Sequence, residues 1–147
     1  MTEEHYTPPD LQLLGQEHVE RYRETDGEVG YIWNGVPILL VTTTGRKSGE
    51  DRPTPLIFGR DGDDFLVIAS MAGAPTHPNW YRNLVAHPAA KIQVRAQHLE
   101  VDARTANEDE RQRLWEIMTD SWPNYDTYQS RTERRIPVVV LTPRTAD

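Results

Sequence analysis

Gly45-Arg46-Lys47-Ser48-Gly49 sets two cations and a hydroxyl between two glycines. The glycines free the backbone so that successive N–H groups can converge, and the side chains add charge-assisted donors. Such a loop suits a phosphate or a carboxylate. Arg46 stands before the lysine where a Walker A loop needs glycine, and Gly-x-Gly-x-x-Gly is absent, so neither nucleotide fingerprint applies. On spacing alone, an anion cradle and a solvated basic hairpin turn stand equally open.

A second constellation is Trp122, Tyr125, Tyr128 and Arg131, spaced by three so that the side chains drift slowly around one side of a helix. Aromatic stripes are usually core. Here Asn124, Asp126, Thr127, Gln129 and Ser130 surround them, and that polar background makes a partly exposed aromatic wall, the lid of a pocket, a second expectation.

Other chemistries find no support. His5, His18, His77, His87 and His98 form no His-x-x-x-His or Glu-x-x-His pair, so no metal centre is expected. His77 and His87 flank a helix, where end packing or solvent exposure accounts for them. Ser48 and Ser70 sit in no Gly-x-Ser-x-Gly elbow, and no carboxylate pair lies in an apolar setting that would raise one pKa. The absence of cysteine removes thiolates, disulfides and iron–sulfur clusters together. If the chain is an enzyme, a bound organic cofactor must carry the hard step, with the protein supplying position and electrostatics.

The elements that would hold these residues follow from periodicity. Residues 1–9, with Pro8-Pro9, read as a flexible arm before a single domain over 10–147. A helix is expected from Asp10 to Asp26-Gly27, its stripe being Leu11, Leu14, His18 and Tyr22 with Leu13 and Val19 beside it. Its polar face mixes charges, which favours core packing over a membrane surface. A strand over Val36 to Thr44 and an apolar stretch from Pro55 to Phe58 flank the basic loop. Arg60-Asp61-Gly62-Asp63 makes a hairpin turn into a strand over Phe65 to Ala69. Ser70 to Thr76 reads as an irregular loop. Thr76 is the expected cap of a short helix that carries Trp80 and Leu84 and stops at Pro88.

Ile92, Val94 and Ala96 alternate in phase with Leu99, Val101 and Ala103, which predicts a hairpin turning at Gln97-His98 with both sets on one face. Asn107 and the acidic residues after it open a helix with the stripe Leu114, Ile117 and Met118. A further helical piece covers about Asn124 to Arg131. Val138 to Leu141 is a strand buried on both sides, closed by Pro143. About six mainly antiparallel strands with three or four helices give an α+β fold whose sheet should curl into a small barrel.

Composition narrows the partners. With 147 residues, one compact domain is the default. Sixteen Lys and Arg against 23 Asp and Glu give a formal charge of -7, which disfavours nucleic acid. No apolar run reaches the ~20 residues a membrane span needs, so membrane contact is at most peripheral. The Met1 to Asp10 segment lacks the parts of a signal peptide, and a cytoplasmic location is expected.

Three segments in register carry a resemblance: Leu40-Val41-Thr42-Thr43-Thr44-Gly45-Arg46-Lys47-Ser48-Gly49; His77-Pro78-Asn79-Trp80-Tyr81-Arg82-Asn83-Leu84 with His87-Pro88; and Tyr128-Gln129-Ser130-Arg131-Thr132 with Arg135-Ile136-Pro137-Val138. They resemble the deazaflavin-dependent nitroreductase family of actinobacteria, split β-barrel oxidoreductases that use coenzyme F420. The similarity runs from about Val36 to Pro143. It implies a split barrel, a homodimer, and hydride transfer from C5 of an 8-hydroxy-5-deazaflavin to a quinone, an activated C=C bond or a nitro compound.

By this resemblance Gly45, Arg46, Lys47, Ser48, Gly49 and Arg52 would hold the phospholactyl-oligoglutamate tail, and Pro53, Thr54, Pro55 and Leu56 would line the start of the ring site. Ser70, Met71, Ala72 and Gly73 would border the ring, with Pro78, Trp80 and Asn83 on the following helix. Ile57, Trp122, Tyr125 and Tyr128 match the substrate side, and hydroxyls of Ser70, Tyr125 or Tyr128 would polarise the acceptor. Ile57 and Trp122 stand where the nitroimidazole-activating relative has tyrosines, a departure that bears on nitroimidazoles more than on quinones or enones. Two other readings stay beside this one: a non-catalytic carrier of F420 or a fatty-acyl ligand, and a split-barrel oxidoreductase that binds FMN.

Overall fold

A computed structural model of the protein describes residues 16–144. The expected arm over 1–9, and Leu11, Leu13 and Leu14 of the first helix, lie outside the described residues. In chain order the elements are α1 (Gln16–Thr25), β1 (Ile32–Trp33), β2 (Val36–Thr44), β3 (Asp51–Ile57), β4 (Gly59–Asp61), β5 (Asp64–Ile68), a 3-10 turn (Met71–Gly73), α2 (Asn79–Ala86), β6 (Ala89–Val94), β7 (Gln97–Thr105), α3 (Glu108–Ser121), α4 (Asn124–Ser130) and β8 (Val138–Pro143).

All strand pairs are antiparallel and run in the order β1-β2-β6-β7-β8-β5-β4, with β3 on β2. The sheet curls back on itself at Phe58. Up to Ile57 the chain pairs with β2, and from Gly59 it pairs with β5, so one bent strand bridges the two ends of the sheet. That bend explains part of the difference from the expected six strands: eight are present among the described residues, because Phe58 divides one strand into β3 and β4 and because β1 adds a short hairpin arm.

That hairpin went unread in the sequence although its signal is strong. Asn34 and Gly35 take φ of 50° and 82° between the paired Trp33 and Val36, the left-handed pair that a two-residue hairpin turn requires. β3 also begins at Asp51, earlier than the apolar stretch from Pro55. Thr44 pairs with Asp51 directly across the basic loop, and Pro53 and Pro55 are tolerated because β3 pairs with β2 alone.

The predicted turn at Gln97-His98 lies instead at Arg95-Ala96: Val94 pairs with Gln97, Ile92 with Leu99 and Ala90 with Val101. The displacement is an even number of residues, so the apolar sets keep their common face. Arg95 holds φ 55° because its N–H donates to the Tyr22 hydroxyl at 2.8 Å and its guanidinium lies over the Tyr31 ring. A second correction concerns α2. It starts after Pro78 at extended φ/ψ with no side-chain cap, so Thr76 does not cap it. α3 follows its sequence signal, with Asn107 and Glu110 forming a reciprocal capping box.

β2, β5 and β8 are buried on both faces. Leu39, Val41, Phe65, Val67, Val139 and Leu141 point into a barrel core closed by Trp80 and Leu84 of α2. From the opposite faces, Leu66, Ile68, Val138 and Val140 pack under Leu114, Trp115 and Met118 of α3 and Trp122, Tyr125 and Tyr128 of the α4 region. Val19 and Tyr22 of α1 cover Ile38 and Leu40.

Candidate active site

The basic loop joins β2 to β3 and is held by its own atoms. Gly45 N–H donates to the Glu50 carbonyl and Gly49 N–H to the Gly45 carbonyl, both at 2.8 Å. Ser48 Oγ accepts from Glu50 N–H at 3.1 Å and would lie 2.6 Å from any Cβ at Gly45. The N–H groups expected to converge on an anion are therefore partly engaged within the turn.

Arg46 is engaged as well, by α2. Its backbone N–H and Nη1 both donate to Asn83 Oδ1, at 3.1 and 2.9 Å, and Nη2 reaches Asn79 Oδ1 at 3.5 Å. Asn83 Nδ2 in turn donates to Thr43 Oγ1 at 3.3 Å. Asn83, buried, ties the loop, β2 and α2 together. Lys47 and Arg52 stay exposed, Arg52 in a surface ion pair with Glu50.

Beside the loop runs an open groove of about 550 Å3, lined by Thr43, Gly45, Arg46, Lys47, Ser48, Arg52, Pro53, Thr54, Asn79, Trp80 and Asn83. A second cavity of about 350 Å3 is mainly apolar: Trp33, Ile38, Pro55, Leu56, Ile57, Ile68, Ser70, Met71, Ala72, Pro78, Asn79, Trp80, Trp122, Tyr125 and Tyr128 line it. Trp80 and Asn79 belong to both. A cationic groove and an aromatic slot thus meet at Asn79 and Trp80, in the first turn of α2.

Apart from Gly49, Gly73 and Arg131, every residue marked in the sequence as a site candidate lines the groove or the cavity. Gly49, at φ 73°, only turns the loop. Gly73 packs against α4, its absent Cβ being what allows the approach. Sequence reasoning missed Trp33, Ile38 and Ile68 in the cavity and Thr43 and Asn79 in the groove. The Asn34-Gly35 signal was available for Trp33, and Thr43 and Asn79 stand within the segments that carry the resemblance; Ile38 and Ile68 had no signal.

Arg134 was also missed. Its guanidinium donates to the carbonyls of Ala74, Ala69 and Ser70 at 3.0, 3.0 and 2.8 Å and to His77 Nδ1 at 3.0 Å. This fork holds a segment in which Met71 and Ala72 have φ of 46° and 53°, conformations that cost about 1–3 kcal/mol each and persist only where the surroundings impose them. Burial, then the charges of Arg134 and Arg82, push the His77 pKa down, which keeps Nδ1 free to accept.

The aromatic wall is buried, not partly exposed as its polar neighbours led one to expect: Trp122, Tyr125 and Tyr128 are 5, 4 and 7% exposed. The polar residues interleaved with them turn to the helix's other side or into side-chain contacts, as when Asp126 accepts from Trp115 Nε1 at 2.8 Å. Trp122 Nε1 donates to the Tyr128 hydroxyl at 3.4 Å, and Trp33 packs on Trp122 with ring centroids 5.4 Å apart. Burial raises the Tyr125 pKa, so this hydroxyl is a neutral donor across the physiological range. Among the described residues no helix is long and apolar enough to cross a membrane, and no group of three or more His, Asp or Glu could hold a metal.

The sequence profile of the F420H(2)-dependent quinone reductase family matches residues 14–143. An F420H(2)-dependent quinone reductase of Mycobacterium tuberculosis is 44% identical over 138 residues, covering 91% of this chain and 92% of that protein. A solved structure described as a domain-swapped dimer superimposes with TM-score 0.70 at 36% identity, over 85% of this chain and 94% of the other. The structure of an F420-H2 dependent reductase superimposes with TM-score 0.67 at 38% identity, over 71% of this chain and 93% of the other. The split barrel expected from the sequence is the fold these neighbours share. On the match over most of its length, the chain belongs to the F420H(2)-dependent quinone reductase family.

Proposed function

We propose that this protein is a reductase that takes a hydride from reduced F420 and delivers it to a quinone, or to an activated C=C bond or nitro group of similar shape. The observation that carries the reading is that a cationic groove and an apolar aromatic slot adjoin at Asn79 and Trp80, which line both. A polyanionic tail matches the first and a flat conjugated ring the second. When bound, reduced F420 supplies a hydride from C5 of its deazaflavin ring.

The chain's own residues supply the rest. Lys47 and Arg52 meet the tail, while Arg46, locked on Asn83, keeps the loop in shape for them. Pro53, Thr54, Pro55 and Leu56 lead the ring inward, and Ser70, Met71 and Ala72 border it. Ile57, Trp122, Tyr125 and Tyr128 wall the acceptor and exclude water, and the neutral Tyr125 hydroxyl, with the hydroxyls of Tyr128 and Ser70, is available to polarise it. A homodimer and a cytoplasmic setting belong to the same proposal; the dimeric solved neighbour supports the first.

Fluorescence titration with F420 beside FMN, followed by steady-state oxidation of reduced F420 with menadione, tests the reading. Micromolar or tighter F420 binding with turnover above the protein-free rate supports it. Binding without turnover indicates a carrier, and a retained yellow colour indicates FMN.

A further inference from the structure

Two walls of the apolar cavity come from distant parts of the chain: Ser70, Met71 and Ala72 follow β5, whereas Tyr125 and Tyr128 belong to α4. Arg134 is bonded to both. Of its five guanidinium N–H donors, four go to the first wall and its flanks, on the carbonyls of Ala69, Ser70 and Ala74 and on His77 Nδ1. Its backbone is fixed to the second wall, for its carbonyl accepts from Gln129 Nε2 of α4 at 2.8 Å. Gln129 Oε1 also accepts the Ile136 N–H at 3.0 Å, so the same side chain clips the loop at two points.

The fork serves this segment alone. Six other arginines of the described residues pair with carboxylates, but Arg134 pairs with none. Nor does the segment hold itself: Met71 and Ala72 are left-handed without being glycine, and Ser70 at the head of the turn makes no side-chain cap bond. A backbone held in such a conformation relaxes to another when its support is removed.

We propose that Arg134 is a positioning residue for hydride transfer: by tying the border at Ser70 to Ala72 to α4, it fixes the width of the slot in which the cofactor ring and the acceptor meet. This rests on the reading that the cavity takes both. Arg134 itself touches neither, since it does not line the cavity. Its effect falls on the alignment of the reacting atoms, where a displacement of about 1 Å costs about a hundredfold in rate.

Arg134→Gln removes the fork, and Arg134→Lys keeps the charge without the planar set of donors. In variants shown by circular dichroism to be folded, kcat with menadione should fall in both, by about a hundredfold in Arg134→Gln, while F420 affinity, set mainly in the basic groove, changes far less. Glycine takes positive φ without the steric penalty, so in an Ala72→Gly background the same Arg134 substitutions should lower kcat less than they do alone. In the cofactor-free protein the Gly73 and Ala74 amides, bonded within the turn, should exchange faster in both variants, with α3 still protected. Unaltered kcat, equal losses in the two backgrounds, unaltered exchange, or failure of both variants to fold overturns the assignment. If the wild-type protein neither binds F420 nor turns over, the functional reading fails and the catalytic role falls with it, whereas a wild type that works beside variants that behave alike sinks the role of Arg134 alone.

Discussion

Gly73 lies against the backbone of Tyr128: a Cβ built on Gly73 would stand 2.6 Å from the Tyr128 carbonyl oxygen and 2.9 Å from Arg131 Cβ. With φ at 84°, the glycine lets the segment after Ser70 touch α4, which sets two sides of the cavity against each other. Gly73→Ala should therefore both strain the backbone and push α4 outward. Stability should fall by about 1–3 kcal/mol in denaturant melts, and KM for the acceptor should rise more than F420 affinity falls.

Lys47 and Arg46 act differently although they are neighbours. Lys47→Ala should weaken F420 binding about tenfold at low ionic strength, with the gap to wild type closing as salt screens the contact. Arg46→Ala should also weaken binding, but with a part that survives high salt, because the loop loses its anchor on Asn83. Titrations across a salt series separate the two; parallel salt curves would remove the distinction.

Arg134 and His77 make the segment from Ala69 to His77 sensitive to pH. The folded state holds the His77 pKa below its ordinary value, so above about pH 6.5 the imidazole is neutral in both folded and unfolded chains and the contact is fully present. As pH falls below that value the unfolded or released segment takes up the proton first, and the contact weakens. Hydrogen exchange over 69–77, corrected for intrinsic rates, should quicken between pH 7.5 and 5.5 in the wild type. In His77→Ala the step should vanish, and in Arg134→Ala exchange should be fast at both values.

Acid stability should depend on Glu110. Its hydrogen bonds with Arg104 and the Asn107 backbone hold its pKa down at about 2. A depressed carboxylate stabilises the fold above its unfolded pKa, near 4.5, and that contribution is lost as pH falls from there toward 2. Glu110→Gln keeps a capping side chain and removes the charge, so it should be less stable than wild type at pH 7, with the gap narrowing in thermal melts as pH falls from about 4.5 toward 2.

Several features could be read along the chain because their causes are local. β2 ends where the glycine-bounded loop begins, α3 starts at a capping box, and β8 is apolar on both faces because a layer covers each. The turn at Arg95-Ala96 could not be read. What supports its left-handed residue is the hydroxyl of Tyr22, distant in sequence. The depth of Trp122, Tyr125 and Tyr128 was likewise hidden, since their polar neighbours signal exposure until α3 and β8 close over the stripe.

What the residue order determined by itself was the inventory: a cationic glycine-bounded turn, an aromatic stripe at helical spacing, and a lack of side-chain nucleophiles and metal ligands that left a bound cofactor as the source of chemistry. Periodicity and capping are short-range effects, and they act the same wherever the segment finally lies. Only the tertiary structure decided that the turn and the stripe line adjoining cavities that share Asn79 and Trp80, that Arg46 is an anchor on Asn83, that Arg134 grips the segment beside the cavity, and that Trp33 enters its wall. Those outcomes depend on the curl of the sheet at Phe58, which brings strands far apart in sequence side by side, and no local propensity encodes which side chains then meet.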